Sequence, residues 1–287
     1  MSSLRCGFIG LGAMGRPMAG HLAARGLLAV VGNRSVDKAE TLASELGVRS
    51  AHSASDFADC DVVALCVTAD ADVLANVDAL AEVLRAGSVV IDHSTVSSTT
   101  AQSAAKRLAV KGIGFLDAPV SGGVEGAING KLSIMVGGSE SDLGKAQPAL
   151  QAYGLRITHM GEVGAGQATK AVNQVLVAGI AHAVSEGLAL GEKLGLDPER
   201  LLPTLGAGAA GSWFLEKRGP TMLRDEFKVG FKLALLHKDL KIVDAMAQAA
   251  GTRRDIIQKS LTDYAQLMEE GYGDDDISAL IRLKRRG

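Results

Sequence analysis

Gly161-Glu162-Val163-Gly164-Ala165-Gly166-Gln167-Ala168-Thr169-Lys170-Ala171-Val172-Asn173-Gln174 decides how this chain divides. A glycine-rich turn runs straight into a long apolar helix, whose first turns carry Lys170, Asn173 and Gln174. Residues at i, i+3 and i+4 share a helical face, so an ammonium and two amides can converge on one small molecule. Before this stretch, short apolar runs alternate with helical segments; after Gly166 no convincing strand follows. The expected architecture is therefore α/β, with a doubly wound, Rossmann-type domain over residues 1–163 and an all-α domain over residues 164–287.

Working back from the boundary, strands are expected over Arg5–Ile9, Leu28–Gly32, Val62–Val67, Val89–Asp92 and Gly114–Ala118. Helices fall between them, over Met14–Arg25, from a Ser35 cap to Leu46, over Asp72–Leu84 and over Thr99–Val110. Asn129-Gly130 then signals a tight turn feeding an antiparallel strand at Leu132–Val136, and Leu155–Met160 reads as a last strand. Working forward, a helix runs to about Leu194, and Asp197-Pro198-Glu199 is an N-cap with proline at the first helical position. Further helices are expected over Lys232–Ala250 and Arg253–Glu270, with a short one near Ser278.

A chain of 287 residues is long enough for two cores. Its net charge of −2 argues against nucleic acid, which needs a basic face to displace phosphate counterions. The basic tail Arg282, Lys284, Arg285 and Arg286 reads as a solvated helix end. No apolar run approaches the ~20 residues of a membrane span, so no membrane partner is expected. Met1-Ser2-Ser3-Leu4-Arg5 enters a strand without a signal-peptide core. Cys6, Cys60 and Cys66 read as small buried hydrophobes in a reducing compartment, with the cytoplasm as default.

Gly10-Leu11-Gly12-Ala13-Met14-Gly15 fits G-x-G-x-x-G between a strand and a helix. There the chain needs a tight turn, room for a pyrophosphate against the backbone, and close helix–strand packing. The second strand ends in Gly32-Asn33-Arg34-Ser35, with no carboxylate before Asp37. An NAD site usually puts Asp or Glu there to bind the ribose 2′-hydroxyl. Arg34 instead suits a 2′-phosphate, with Asn33 and Ser35 as supporting donors, so NADP is favoured and NAD remains possible. The turn in Asp117-Ala118-Pro119-Val120-Ser121-Gly122-Gly123 can cup an anion with backbone N–H groups.

Together Gly7–Gly15, Asp117–Gly123, Gly161–Gln174, and Phe231 with Lys238-Asp239-Leu240 resemble the β-hydroxyacid dehydrogenase family along essentially the whole chain. That family includes 3-hydroxyisobutyrate dehydrogenases and tartronate semialdehyde (2-hydroxy-3-oxopropionate) reductases. The resemblance implies a dinucleotide domain followed by a helical domain, with an active site in the cleft between them, and dimers or tetramers. It implies that Lys170 is the catalytic acid/base, that Ser121, Gly122 and Gly123 hold the carboxylate of a small substrate, and that Asn173 is a substrate-binding amide. Val67, Thr68, Thr95 and Lys238 match cofactor-side positions, although Lys238 also reads as a helix lysine paired with Asp239. The long apolar helix Val175–Leu190 suits burial against another subunit.

The chain lacks the Lys-x-x-His-Asn pattern of 6-phosphogluconate dehydrogenases, and it keeps the lysine that imine reductases usually replace. Its Asn173-Gln174 pair is more like the tartronate semialdehyde reductases than like 3-hydroxyisobutyrate enzymes with two consecutive Asn. The expected function is reduction of a short aldehyde-acid with NADPH, reversible as 3-hydroxy-acid oxidation. NAD-linked 3-hydroxyisobutyrate oxidation and non-catalytic NADP binding remain open alternatives. The six His residues have no metal-ligand spacing, and His93 reads as structural.

Overall fold

Six strands, five of them apolar runs, frame the first half of the molecule. The computed structural model describes residues 4–286; Met1-Ser2-Ser3, which lead into the first strand, and Gly287 lie outside them. Strands β1 (Cys6–Ile9), β2 (Leu28–Gly32), β3 (Arg49–Ser50), β4 (Val62–Leu65), β5 (Val89–Asp92) and β6 (Gly114–Asp117) pair in parallel in the order β3-β2-β1-β4-β5-β6. That is the order of doubly wound dinucleotide-binding sheets. Helices α1 (Gly15–Ala24), α2 (Val36–Leu46), α3 (Asp70–Ala81) and α4 (Ser98–Ala109) cross between the strands.

Successive strand residues face opposite sides. Phe8, Ala64 and Ile91 join Met18 and Leu22 of α1 in one core, while Val63, Leu65 and Val90 join Val73 and Val77 of α3 and Leu108 of α4 in another. Burial on both faces is why these strands read as continuous apolar runs.

The sheet then changes direction. After β6 come β7 (Val120–Ser121), α5 (Gly123–Ile128), β8 (Leu132–Gly137), α6 (Glu140–Tyr153) and β9 (Gly154–Gly161). Strand β8 is antiparallel to β7 and to the end of β6, and parallel to β9. The antiparallel strand is where the sequence puts it, but the Asn129-Gly130 turn closes α5 instead of a hairpin. Gly130 takes φ 62°, and the Lys131 N–H returns to the Gly126 carbonyl at 2.8 Å. Helix α6 escaped the sequence reading because Gly144 and Pro148 look like breakers. Ala146, Ala149, Leu150 and Tyr153 outweigh them by burying fully in the first core.

By its contacts the chain forms two compact units, residues 1–170 and 171–287. Helix α7 (Ala165–Lys193) starts in the first and continues through the second. There it is followed by α8 (Pro198–Gly206), α9 (Trp213–Leu223), α10 (Leu233–Ala249), α11 (Asp255–Glu269) and α12 (Ile281–Lys284). Asp197 caps α8 by accepting from the Glu199 N–H, with Pro198 at the first position. The core gathers Ala178, Ala181 and Leu188 of α7 with Leu236 and Leu240 of α10 and Tyr264 and Leu267 of α11.

Two expectations need correction here. The basic tail is not a solvated end. Lys284 pairs with the buried Asp263 at 3.0 Å, Arg285 with Glu192 at 2.8 Å and Arg286 with Glu270 at 2.6 Å. Arg282 lies over the rings of Phe227 and Tyr272. Acidic partners from distant segments, invisible as a local pattern, hold three of the four cations. Helix α7 also departs from the expectation that no segment suits a membrane span: it has 29 residues and is long and apolar enough to cross a membrane by length and composition only. Its inner face packs in the second unit's core, however, and His182 and Glu186 interrupt its apolar surface.

Candidate active site

The glycine loop follows β1 directly and ends in α1. Gly10 takes φ 97°, and a Cβ there would collide with the Cys66 carbonyl; a Cβ on Gly15 would collide with the Gly10 carbonyl. At Gly12, by contrast, a Cβ would meet nothing within 4 Å. The first and third glycines therefore serve the fold, while the second leaves space in front of the backbone. Gly12 and Ala13 are exposed, and Met14, the N-cap of α1, makes no side-chain capping bond. The α1 N-terminus thus lacks a side-chain cap, an arrangement that favours an anionic group.

A cavity of about 610 Å³ opens over this loop. Its wall includes Gly10, Leu11, Gly12, Asn33, Arg34 and Ser35, together with Val67 and Thr68 from the end of β4. Ala13, Met14, Gly15, Thr95 and Lys238 are not among its lining residues. Arg34 and Ser35 are exposed at its mouth. Ser35 takes the N-cap position of α2, but its hydroxyl makes no capping bond.

Asn33 uses its amide inside the protein. Its Oδ1 accepts the Leu11 N–H at 3.0 Å and its Nδ2 donates to the Ser35 carbonyl at 3.2 Å, tying the glycine loop to the end of β2. Sequence reading missed Lys38 and His52, two further basic side chains in this wall. Lys38 lies four residues after Arg34, a spacing that could have found it; His52 arrives from β3 and has no local signal. A dinucleotide fits this chemistry: an open backbone cradle, an uncapped helix end and cationic groups beside β2.

The ends of β5 and β6 supply the next layer. The Val67 N–H donates to Ser94 Oγ at 2.9 Å, and Thr95 follows Ser94, half-buried. Asp117, fully buried at the end of β6, accepts the Gly164 N–H with Oδ1 and the Gln167 N–H with Oδ2, both at 2.8 Å. Burial pushes its carboxyl above the usual aspartate range despite these bonds. Its neighbour in register, Asp92, is pushed up to about 7, chiefly by burial. Asp92 Oδ1 accepts the Ser94 N–H at 2.9 Å, while Oδ2 is buried without a hydrogen-bond partner.

Lys170 lies on the second turn of α7 and is only 7 % exposed. Its Nζ donates to the Val120 carbonyl at 2.9 Å. Ser121 is the next residue, followed by Gly122 and Gly123 at φ 127° and 61°, so the expected proton donor is tied to the strand that leads into the expected anion-binding turn. His93 stands apart from acid–base work. Its Nδ1–H donates to the Ala118 carbonyl at 2.7 Å, its Nε2 accepts from the Tyr153 hydroxyl at 2.8 Å, and burial lowers its pKa to about 4.

The second unit has its own polar relay. Asn173 Nδ2 donates to Gln174 Oε1 at 2.9 Å, and Gln174 Nε2 donates to Asp239 Oδ2 at 2.7 Å. The other oxygen of the buried Asp239 pairs with Lys238 Nζ at 2.9 Å. The local Lys238–Asp239 pair read from the sequence is therefore present, and Gln174 joins it to Asn173. Among the described residues no group of three or more His, Cys, Asp or Glu is placed to hold a metal ion.

The chain matches known proteins along nearly all of its length. Residues 5–161 match the family model of the NAD binding domain of 6-phosphogluconate dehydrogenase. Residues 164–284 match that of the NAD-binding domain of NADP-dependent 3-hydroxyisobutyrate dehydrogenase. The chain is 39% identical to an uncharacterized oxidoreductase of Synechocystis sp., covering 99% of each. It is 36% identical to 2-hydroxy-3-oxopropionate reductase of Escherichia coli, over 86% of this chain and 85% of that protein. Among solved structures, it is similar to Mycobacterium tuberculosis 3-hydroxyisobutyrate dehydrogenase with L-serine, with a TM-score of 0.90, 32% identity, and coverage of 99% and 100% of the two chains.

Proposed function

This chain belongs to the β-hydroxyacid dehydrogenase family, as an NAD(P)-dependent oxidoreductase acting on CH–OH groups, and we propose that it is an NADPH-preferring reductase of a short aldehyde-acid such as tartronate semialdehyde. The observation that carries this reading is the buried Lys170 ammonium, bonded to the Val120 carbonyl one residue before Ser121. Residues 1–163 then serve the dinucleotide, and residues 164–287 serve substrate binding and oligomerisation. Arg34, with Ser35 and Lys38 beside it in the cavity wall, supports the preference for a 2′-phosphate.

In this mechanism Ser121 and the N–H groups of Gly122 and Gly123 hold the substrate carboxylate, and Asn173 is a substrate-binding amide. Lys170 gives a proton from Nζ to the developing alkoxide oxygen, and as the amine takes it back in the oxidative direction. General acid–base help of this kind is worth about a hundred- to ten-thousand-fold. A bound nicotinamide supplies or accepts the hydride. Lys238, paired with Asp239, completes the cofactor-side set.

NAD-linked oxidation of 3-hydroxyisobutyrate or a related hydroxy acid is the second reading, favoured by the similarity to the 3-hydroxyisobutyrate dehydrogenase structure. Membership of an enzyme family sets aside the non-catalytic alternative. Association as a homodimer or homotetramer goes with either reading, because Val172, Leu176, Ile180 and Leu190 of α7 are exposed and offer apolar area to a second copy. Three thiols without a disulfide suit a reducing cytoplasm.

The test follows NADPH and NADH oxidation with tartronate, methylmalonate and succinic semialdehydes and glyoxylate, and the reverse oxidation of 3-hydroxyisobutyrate and L-serine. The intact enzyme and Lys170→Ala are compared. Turnover of an aldehyde-acid with NADPH, lost in the variant, is expected. Turnover of hydroxy acids with NAD alone would favour the second reading, and full activity in the variant would remove Lys170 from the chemistry.

A further inference from the structure

Gln167 and Asp117 are polar and almost completely sequestered, at 1 % and 0 % exposure, and neither is used in the mechanism above. Each joins the start of α7 to the ends of the parallel strands. Gln167 closes on both peptide groups that flank Thr95: its Nε2 donates to the Ser94 carbonyl at 2.7 Å and its Oε1 accepts the Val96 N–H at 3.2 Å. Ser94 in turn takes the Val67 N–H on its hydroxyl. One amide therefore sets the backbone on either side of Thr95, and through Ser94 it reaches the end of β4.

Asp117 fixes Gln167 from behind. Its two oxygens accept the Gly164 and Gln167 N–H groups, which lie at the start of α7. A carboxylate at a helix N-terminus meets orphan N–H groups and the positive end of the helix dipole. Space for it is built in: a Cβ at Gly166 would lie 2.9 Å from Asp117 Oδ2 and closer still to the Asp117 and Met135 carbonyls, and one at Gly137 would crowd Asp117 Oδ1. Lys170 sits one turn beyond Gln167, and its Nζ returns to Val120, three residues after Asp117.

We propose that Gln167 and Asp117 are positioning residues for the reaction, a clamp that holds Lys170 in register with Thr95 and Val67 and so sets the proton donor against the hydride path. This rests on the reading that Lys170 is the acid/base. Hydride and proton transfer need their groups aligned together, and a misplacement of about 1 Å can cost about a hundredfold. The clamp needs one donor and one acceptor at Gln167, a requirement that core packing alone would not impose.

That requirement gives the test. Gln167→Met keeps the length and removes both bonds. Gln167→Glu keeps the shape and, while protonated, still offers one O–H donor for the Ser94 carbonyl and one oxygen for the Val96 N–H; once ionised it can only accept. Burial holds such a carboxyl above its ordinary range, which puts the change within an accessible pH interval. Steady-state kinetics against pH are run on the intact enzyme, Gln167→Met, Gln167→Glu, Asp117→Asn and Lys170→Ala. Binding of 2′,5′-ADP, which probes the glycine-loop cavity, is the control.

The expected result for Gln167→Met is a kcat reduced about ten- to a hundredfold at every pH, with 2′,5′-ADP affinity unchanged. For Gln167→Glu, kcat relative to the intact enzyme recovers at acid pH and falls through one added ionisation. Asp117→Asn, if it folds, follows Gln167→Met. A Gln167→Met variant with normal kcat, or a Gln167→Glu ratio that does not change with pH, overturns the clamp while a dead Lys170→Ala leaves the functional reading standing. Full activity in Lys170→Ala overturns the functional reading, and the clamp falls with it.

Discussion

Asp92 should make this protein less stable as pH rises from acid to neutral. Its side chain is fully buried, one oxygen accepts the Ser94 N–H, and the other is buried without a hydrogen-bond partner. Burial raises its pKa from an ordinary 3.8 to about 7, and the neighbouring Asp117 carboxylate adds to the effect. Between those values the unfolded chain has already lost the proton that the folded protein keeps. Folding stability therefore falls as pH rises across the interval, because the native state binds more protons than the unfolded state. Below pH 3.8 the penalty is absent; above about 7 it is complete and constant. The interval corresponds to about 4 kcal/mol, a large part of a domain's usual net stability.

The perturbation is Asp92→Asn, which keeps an oxygen for the Ser94 N–H and cannot ionise. Urea unfolding of both proteins, measured every half pH unit from 4 to 9, gives the difference in unfolding free energy. That difference should shift in favour of the variant by about 4 kcal/mol between pH 4 and 8 and then level off. Asp117 is present in both proteins, so its own titration largely cancels. A difference independent of pH would show that Asp92 ionises normally in the fold and would refute the reasoning.

Other expectations follow from particular side chains. Arg34→Ala should weaken NADPH about ten- to a hundredfold, the worth of a charge-assisted bond, and change NADH less than about threefold; equal losses in KM for the two cofactors would contradict a 2′-phosphate site. Burial pushes the Cys6 and Cys60 thiols up to about 12 and about 11, so a disulfide reagent at pH 8 should label only Cys66 readily in the native protein and all three thiols in denaturant. Rapid native labelling of three would refute this. Light scattering should give a dimer or tetramer, and a charged substitution at the exposed Leu176 should shift it toward monomer; a monomeric parent protein removes the association proposal.

Most of the parallel sheet was legible because both of its faces are buried, which turns each strand into a short apolar run between helical periods. The glycine loop was legible for a related reason: Gly10 and Gly15 answer steric demands that no side chain could meet. The candidate site could be read from the sequence only as a set of motifs, not as an arrangement. Lys170 and Ser121 stand in separate motifs, and only the fold brings the Lys170 ammonium to the Val120 carbonyl. Asn33 was read as a phosphate donor, yet the bond from the Leu11 N–H to its side chain spans 22 positions and makes it a brace for the loop as well.

What the amino-acid order determined by itself, then, was the local and periodic part: strand–helix alternation, turn chemistry, the glycine fingerprint and the polar face of α7. These depend on neighbours a few positions apart. Tertiary structure alone decided the partners of buried and charged groups. The basic tail is held by Asp263, Glu192 and Glu270, α6 forms across Gly144 and Pro148 because its other face is buried, and Asp117 and Gln167 become a clamp. A hydrogen bond or an ion pair needs its two groups within about 3 Å, and the folded path of the chain, not the separation along it, sets that distance.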